Sequence, residues 1–274
     1  MNVLDLYKLN NELAIVTGGA GLLGIKHCEA LLEAGAQVVA VDIDISSKKL
    51  KELQNSYKEN FIFFKCDISA ETEIIKLKAQ IHKKYNKYPS ILINNAAIDS
   101  KRGVKRSNRS SRLESFDNEK WNNEIAVGLS ASMFCAKHFG AEMANNNKGV
   151  ILNISSDLGI IAPNQSLYEV NSIGDDNQDV KPVTYSVIKH GLIGLTRYIS
   201  TYWANQGVRC NALAPGAVYN GHSDEFVSKI NRLIPLGRMA NIDEYKATIV
   251  YMCSNASSYM NGAIISVDGG RTSW

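Results

Sequence analysis

The chain has no CxxC pair, no HExxH or HxxxH spacing and no long uninterrupted apolar run. Its five cysteines, Cys28, Cys66, Cys135, Cys210 and Cys253, are scattered and odd in number. That excludes a disulfide framework and fits a reducing compartment, where buried thiols act as small hydrophobes. With neither paired thiols nor paired imidazoles, no metal site is expected. The opening stretch MNVLDLYKLNNELAIVTGG lacks a basic start followed by a long apolar segment. Neither a secretory signal nor a membrane span is expected, and the expected location is cytoplasmic. A net charge of +3 over 274 residues is too small for charge-driven nucleic-acid binding. Prolines number only 5, and 45% of residues are apolar against 21% charged. A chain of this composition and length buries a large core and still holds a cleft.

What the chain does have is an alternation of short apolar runs and longer helical patterns. LAIVT (13–17), VVAVD (38–42), FIFFKCD (61–67), ILINNAA (91–97), GVILNISS (149–156), GVRCNALAP (207–215) and AIISVDGG (263–270) read as strands. Helical patterns cover 22–35, 46–57, 71–85, about 121–143, 185–206 and 243–253. Strands apolar on both faces, separated by helices, predict a parallel sheet covered on both sides. Right-handed crossovers make this a doubly wound α/β Rossmann fold, in a single domain over 1–274. The irregular stretches 99–117 and 163–183 exceed ordinary connections and are expected to be active-site insertions.

TGGAGLLG (17–24) joins the first strand to the first helix. Gly18, Gly21 and Gly24 allow a tight turn and a close approach to a pyrophosphate, whose charge the helix N-terminus favours. Glycines also serve ordinary turns, and the strand–turn–helix context is what makes this a dinucleotide signal. Asp42 ends the second strand, where an acid accepts hydrogen bonds from ribose hydroxyls and repels a 2′-phosphate. The residues after it are Ile43, Asp44 and Ile45, with no cation among them. NAD is therefore expected in preference to NADP. Asp67, at the end of the third strand, is placed either to reach the adenine or to cap the next helix.

TYSVIK (184–189) puts a Tyr and a Lys at i and i+4, on one helix face. An ammonium about 4–5 Å from a phenol, at an effective dielectric of about 20, favours the phenolate by roughly 3–4 kcal/mol. Desolvation takes part of this back, and an oxidised nicotinamide adds more positive charge. Tyr185 is thereby suited to exchange a proton near neutral pH. A serine hydroxyl beside it would orient the substrate oxygen; Ser155 and Ser156, ending the preceding strand, are the candidates. Alone, such a pair also describes a packed Tyr with a snorkelling Lys.

Taken together these pieces resemble the short-chain dehydrogenase/reductase family, classical branch, over nearly the whole chain. The likeness rests on TGGAGLLG, VVAVDID, CDIS, INNAA, NISSDLG, YSVIK, GVRCNALAPGAV, IPLGRM and YMNGAIISVDGG. It implies Ser156 rather than Ser155 as the substrate-orienting hydroxyl, Tyr185 as acid–base, and Lys189 as the cation that acidifies Tyr185 and holds the nicotinamide ribose. It implies cofactor contacts from Leu23, Ile68, Asn94, Ala96, Pro215, Gly216 and Val218 as well, with Asn94 also supporting the central strand. Three departures stand out. Leu22 occupies a position where the family has a small residue. Gly128, in Val127-Gly128-Leu129, stands where the family has a catalytic Asn that supports a relay water, with Asn122, Asn123 or a water as replacements. Asn220 stands where a Thr follows the Pro-Gly turn. AGLLG, VGL, IIAPNQ, KPVTYSVIKHG and PGAVYNG further resemble bacterial members linked to flagellin modification and legionaminic-type sugar pathways.

SKRGVKRSNRSSR (100–112) holds six Lys or Arg and no acid, at the sheet edge where ligands bind. Such a run either draws a phosphate or carboxylate or is simply solvated. Asn164 and Gln165 are candidate substrate contacts from the second insertion, with Asn220 from the Pro-Gly turn. The expected reaction is hydride transfer at a secondary alcohol or ketone of a polar, anionic sugar, phosphorylated or nucleotide-linked. Alternatives are a 3-oxoacyl or gluconate-type polyol reductase, and a non-catalytic NAD-binding sensor. Apolar surplus on 121–143 and 185–206 (Met133, Phe134, Leu192, Leu195, Tyr198, Trp203) predicts a homodimer or homotetramer.

Overall fold

The structure is a computed structural model that describes residues 2–98, 111–169 and 178–274. Seven parallel strands form one sheet in the order β3-β2-β1-β4-β5-β6-β7. The strands are β1 (Leu13–Thr17), β2 (Gln37–Asp42), β3 (Phe61–Lys65), β4 (Ile91–Asn94), β5 (Gly149–Ile154), β6 (Val208–Pro215) and β7 (Ile264–Val267). β1 pairs with both β2 and β4, so the strand order reverses beside it. In an open α/β sheet that reversal opens a crevice at the carboxyl ends of the strands.

Both sheet faces are covered, as strands apolar on alternate sides require. Ala14, Val16, Val38 and Ala40 face one core with α1 (Leu22–Glu33) and α9 (Lys246–Cys253). Leu13, Ile15, Val39 and Val41 face the other, with α3 (Glu71–Tyr85) and α7 (Val183–Tyr202). α2 (Lys48–Tyr57) completes the connection from β2 to β3.

Several element ends differ from those read in the sequence, for physical reasons. The long helix starts as α4 (Asn118–Ile125), because Asp117 caps it by accepting from the Lys120 N–H at 2.7 Å. It continues through π-helical turns at Ala126–Ser130 and Ala136–Gly140 into α5 (Ala131–Cys135) and α6 (Ala141–Asn145). α7 starts after Pro182 and ends at Tyr202, short of 206. The helix α8 (Asp224–Asn231), absent from the sequence reading, is only 8 residues long, and of its residues only Ile230 is buried. β3, β4 and β5 stop early, so Cys66–Asp67, Asn95–Ala97 and Ser155–Ser156 lie in turns at the crevice. The expected apolar surplus divides: Met133 and Tyr198 are exposed, whereas Leu192 lies in the core and Phe134, Leu195 and Trp203 pack against it. Among the described residues no helix is long and apolar enough to cross a membrane.

Candidate active site

The turn after β1 is a cradle built by glycine. Gly18 has φ +62°, and a Cβ there would stand 2.7 Å from Ala96 Cα. A Cβ on Gly24 would lie 2.0 Å from the Gly18 carbonyl oxygen, so only glycine lets α1 seat against the turn. Gly21 is the N-cap of α1; no side chain caps it and no acid sits in the first turn. Asn95, which the sequence reading missed, clamps the turn by donating from Nδ2 to the carbonyls of Thr17 (3.0 Å) and Gly18 (3.1 Å). Thr17 Oγ1 in turn accepts from the Asn95 and Ala96 N–H groups at 3.0 and 3.2 Å. The doubled Asn of INNAA was its only signal. Asp42 closes one side, accepting from the Ala20 N–H at 3.0 Å and the Asp44 N–H at 3.2 Å. Leu22 is exposed and Leu23 half-buried. This cradle, with free helix-start N–H groups and a carboxylate at the second strand end, fits a dinucleotide.

Asp67, just beyond β3, and Asn94, at the end of β4, are both held by bonds within the protein. Asp67 does not cap α3, whose N-cap is Ala70; its Oδ1 instead accepts from the Ser69 N–H (2.9 Å) and hydroxyl (2.7 Å). Ile68 is buried against the sheet. Asn94 is 2% exposed and donates from Nδ2 to Asn153 Oδ1 at 2.8 Å and the Ser132 carbonyl at 3.3 Å. Asn153 passes the bridge to Thr196 Oγ1 at 2.8 Å. That buried ladder ties β4 and β5 to α5 and α7.

At the end of β5 the two serines take different tasks. Ser155 Oγ donates to the Lys189 carbonyl at 2.8 Å, locking α7 onto the strand. Gly159 makes the contact possible, since a Cβ there would meet Ser155 Oγ at 2.3 Å. Ser156 is buried, bonded to Asp157 Oδ1 at 2.7 Å and accepting from the Leu158 N–H at 3.1 Å. Burial pushes the Asp157 carboxyl above its ordinary range, against the Ser156 and Leu158 hydrogen bonds and Arg271. Arg271 Nε stands 3.5 Å from Asp157 Oδ2, and both side chains are buried. Lys189 is 6% exposed, donates from Nζ to the Ile154 carbonyl at 2.9 Å, and lies 5.6 Å from the Tyr185 ring centroid. A second ammonium, Lys181 Nζ, stands 3.7 Å from the same centroid. Tyr185 and Lys189 thus lie together on α7, which Ser155 and Lys189 tie to the end of β5, one residue from Ser156.

The helix seam behind Tyr185 explains Gly128. A Cβ there would lie 2.8 Å from Ile188 Cγ2 and 2.9 Å from Cδ1, so the π-turn at 126–130 packs flush on α7. Asn122 and Asn123, the expected replacements for the missing Asn, are exposed. The buried polar residue is Glu124, which accepts from Thr184 Oγ1 one residue before Tyr185. Gly128→Asn is expected to destabilise the protein by about 1–3 kcal/mol through overpacking. A double-mutant cycle with Ile188→Ala should show a favourable coupling of about 1 kcal/mol or more. Additive losses would mean that Ile188 is not what excludes the Asn.

Pro215 ends β6. Gly216 allows close approach to Asp268, whose Cα would lie 2.7 Å from an added Cβ. Val218 bridges to Ala240, and Asn220 is exposed with its N–H on His222 Nδ1 at 3.2 Å. Asn164 and Gln165 both bond within their own part of the chain. Asn164 Oδ1 accepts from the Ser166 N–H at 3.0 Å, and Gln165 Oε1 from the Lys181 N–H at 2.9 Å. Most of the basic run 100–112, and residues 170–177 of the second insertion, lie outside the described residues. All five cysteines are buried and free, and burial raises Cys66 to about 11 and Cys210 and Cys253 to about 12, which leaves these three as unreactive thiols. Among the described residues no group of three or more His, Cys, Asp or Glu is placed to hold a metal.

A doubly wound parallel sheet with this glycine turn after β1 is the architecture of a dinucleotide-binding Rossmann protein. The chain belongs to the short-chain dehydrogenase/reductase family: residues 20–272 match the family model described as enoyl-(acyl carrier protein) reductase. It is 29% identical to the 2-dehydro-3-deoxy-D-gluconate 5-dehydrogenase of Bacillus subtilis, over 97% of this chain and 96% of that one. It is also 29% identical to the NADP-dependent mannitol dehydrogenase of Hypocrea jecorina, over 98% and 96% of the two chains. A short-chain dehydrogenase from Leptospira borgpetersenii, solved with bound NAD+, superposes with a TM-score of 0.83 at 27% identity, over 99% and 96% of the chains.

Proposed function

We propose that the chain interconverts a secondary alcohol and a ketone on a small, polar, sugar-derived substrate, using NAD. One observation carries this reading: Lys189 Nζ, anchored to the Ile154 carbonyl, is buried beside Tyr185 at the strand end that presents Ser156. A buried ammonium favours the phenolate, so Tyr185 takes the alcohol proton in oxidation and returns it in reduction. Ser156 orients the reacting oxygen, and Ser155 keeps α7 in register. The turn from Gly18 to Gly24, with Asp42, Ala96 and the Pro215–Gly216 corner, would hold the dinucleotide. When bound, its nicotinamide supplies the hydride acceptor or donor.

The relatives act on sugar acids and polyols, which supports a gluconate-type or polyol substrate. The basic run 100–112 supports a finer reading, that the substrate carries an anionic group: a sugar acid, a sugar phosphate or a nucleotide-linked sugar. Asp42 at the end of β2, with no cation at 43–45, supports NAD, although the mannitol relative uses NADP.

Purified protein should be assayed with NAD and with NADP against gluconate, mannitol, galactitol, sugar phosphates and nucleotide sugars. Turnover is expected with an anionic sugar, at a kcat/KM at least tenfold higher with NAD. Turnover of neutral polyols alone would replace the anionic reading with the polyol one. Reaction with acyl thioesters alone would overturn the sugar reading.

A further inference from the structure

Tyr185 has two ammonium groups against it. Lys189 comes from its own helix, buried and tethered to the Ile154 carbonyl. Lys181 comes from the segment before the helix, and its Nζ lies closer to the ring centroid, 3.7 Å against 5.6 Å. The backbone puts it there. Gln165 Oε1 accepts the Lys181 N–H at 2.9 Å, and Pro182, at φ −56°, stiffens the next residue as the N-cap of α7. Gln165 belongs to the 3₁₀ turn Gln165–Tyr168, which packs by Leu167 against Ile230, Ile234 and Met239. A loop that would otherwise only border the crevice therefore fixes a cation over the ring.

We propose that Lys181 is a second electrostatic control on the acid–base tyrosine. An ammonium 3.7 Å from the centroid is in direct cation–π contact, and the contact strengthens when the ring becomes electron-rich as a phenolate. Its charge also favours the ionised phenol through space. Lys181 does not exchange the proton; it acts through Tyr185. It is half-exposed, whereas Lys189 is buried. Its effect is therefore screened by salt while that of Lys189 persists. Among the described residues, three carboxylates stand on neighbouring segments, and any carboxylate close to the ring works against both cations: Asp179, two residues before Lys181, accepts from Ser111 Oγ. Asp157 sits at the turn after β5, and Glu124 on α4 is bonded to Thr184. Paired cations offset that opposition.

The inference rests on Tyr185 as the acid–base group, but its test does not need a substrate. Tyrosinate absorbance is titrated in wild type, Lys181→Met and Lys181→Arg, each paired with a Tyr185→Phe version so that the difference isolates Tyr185. Lys181→Met is expected to raise the Tyr185 midpoint by about half a unit to one unit. Lys181→Arg should restore it, and 1 M salt should shrink the wild-type-to-Met difference. An unchanged midpoint in Lys181→Met overturns the proposal, as does a shift that Arg fails to restore. With a substrate in hand, the lower limb of the oxidation pH profile should move by the same amount, with rates converging at high pH. A parallel loss at every pH would make Lys181 merely structural and would overturn it as well. If the midpoint shifts but no substrate on the panel turns over, the sugar-substrate reading fails while the electrostatic coupling of Lys181 to Tyr185 stands.

Discussion

Tyr185→Phe is expected to lower kcat by roughly 10²–10⁴-fold, the usual worth of a positioned general acid–base, while the Kd for NAD changes less than about threefold. The asymmetry follows from where the ring sits. Tyr185 is half-buried at the N-terminal turn of α7, and its phenyl body packs the same way without the oxygen. Lys189→Met should behave differently, because Lys189 is 6% exposed and its Nζ satisfies the Ile154 carbonyl. Removing that donor strands a buried carbonyl, at about 1–3 kcal/mol, and takes away the charge nearest the phenol on its own helix. Lys189→Met should therefore lose turnover, thermal stability and cofactor affinity together, whereas Tyr185→Phe should lose turnover alone. Stopped-flow turnover, NAD titration by calorimetry and a thermal melt separate the two patterns. A Tyr185→Phe enzyme within threefold of wild-type kcat would remove Tyr185 from the chemistry.

That contrast also shows what the sequence makes legible. The Tyr185–Lys189 pair is a local matter, four residues apart on one helix, and period alone places both on a face. The glycine turn is equally local, because strand, turn and helix are contiguous. The strand order could be anticipated because parallel strands apolar on both faces leave few topologies. What escaped the sequence are pairings between segments distant along the chain: Asn95 clamping the Thr17–Gly18 backbone, Glu124 meeting Thr184, and Arg271 beside Asp157. None has a periodicity or spacing signature, since each joins elements whose approach depends on the finished sheet. Gly128 is the instructive case. Read in isolation it is a missing catalytic Asn; seen against Ile188 it is the residue that lets two helices touch. Asn164 and Gln165 carry a similar ambiguity, because a polar side chain in a loop serves the loop's own backbone as readily as a ligand.

Gly24→Ala is the second large effect, and it should abolish NAD binding without touching the acid–base group. Its added methyl would lie 2.0 Å from the Gly18 carbonyl oxygen, 2.8 Å from the Gly18 carbonyl carbon and 2.9 Å from Gly19 Cα. All three are backbone atoms, so no side-chain rotation relieves the overlap; either the start of α1 lifts away or the turn opens. Lifting α1 strips buried contact from Ile25, Cys28 and Leu31, which face the core with Val16 and Val38. Opening the turn breaks the Asn95 clamp and moves the Gly21 N-cap off the pyrophosphate position. Overpacking of this kind costs about 1–3 kcal/mol in stability, and the displaced helix N-terminus loses its anion site. The expected readings are a lower melting temperature and no detectable heat of NAD binding at concentrations that saturate wild type. Leu22→Ala, two residues earlier, is the matched control: its side chain is 40% exposed, so stability should stay within about 0.5 kcal/mol and NAD should still bind. Should Gly24→Ala bind NAD as wild type does, the dinucleotide would have to sit elsewhere than on this turn, and with it would go the placement of Tyr185 at the reacting carbon.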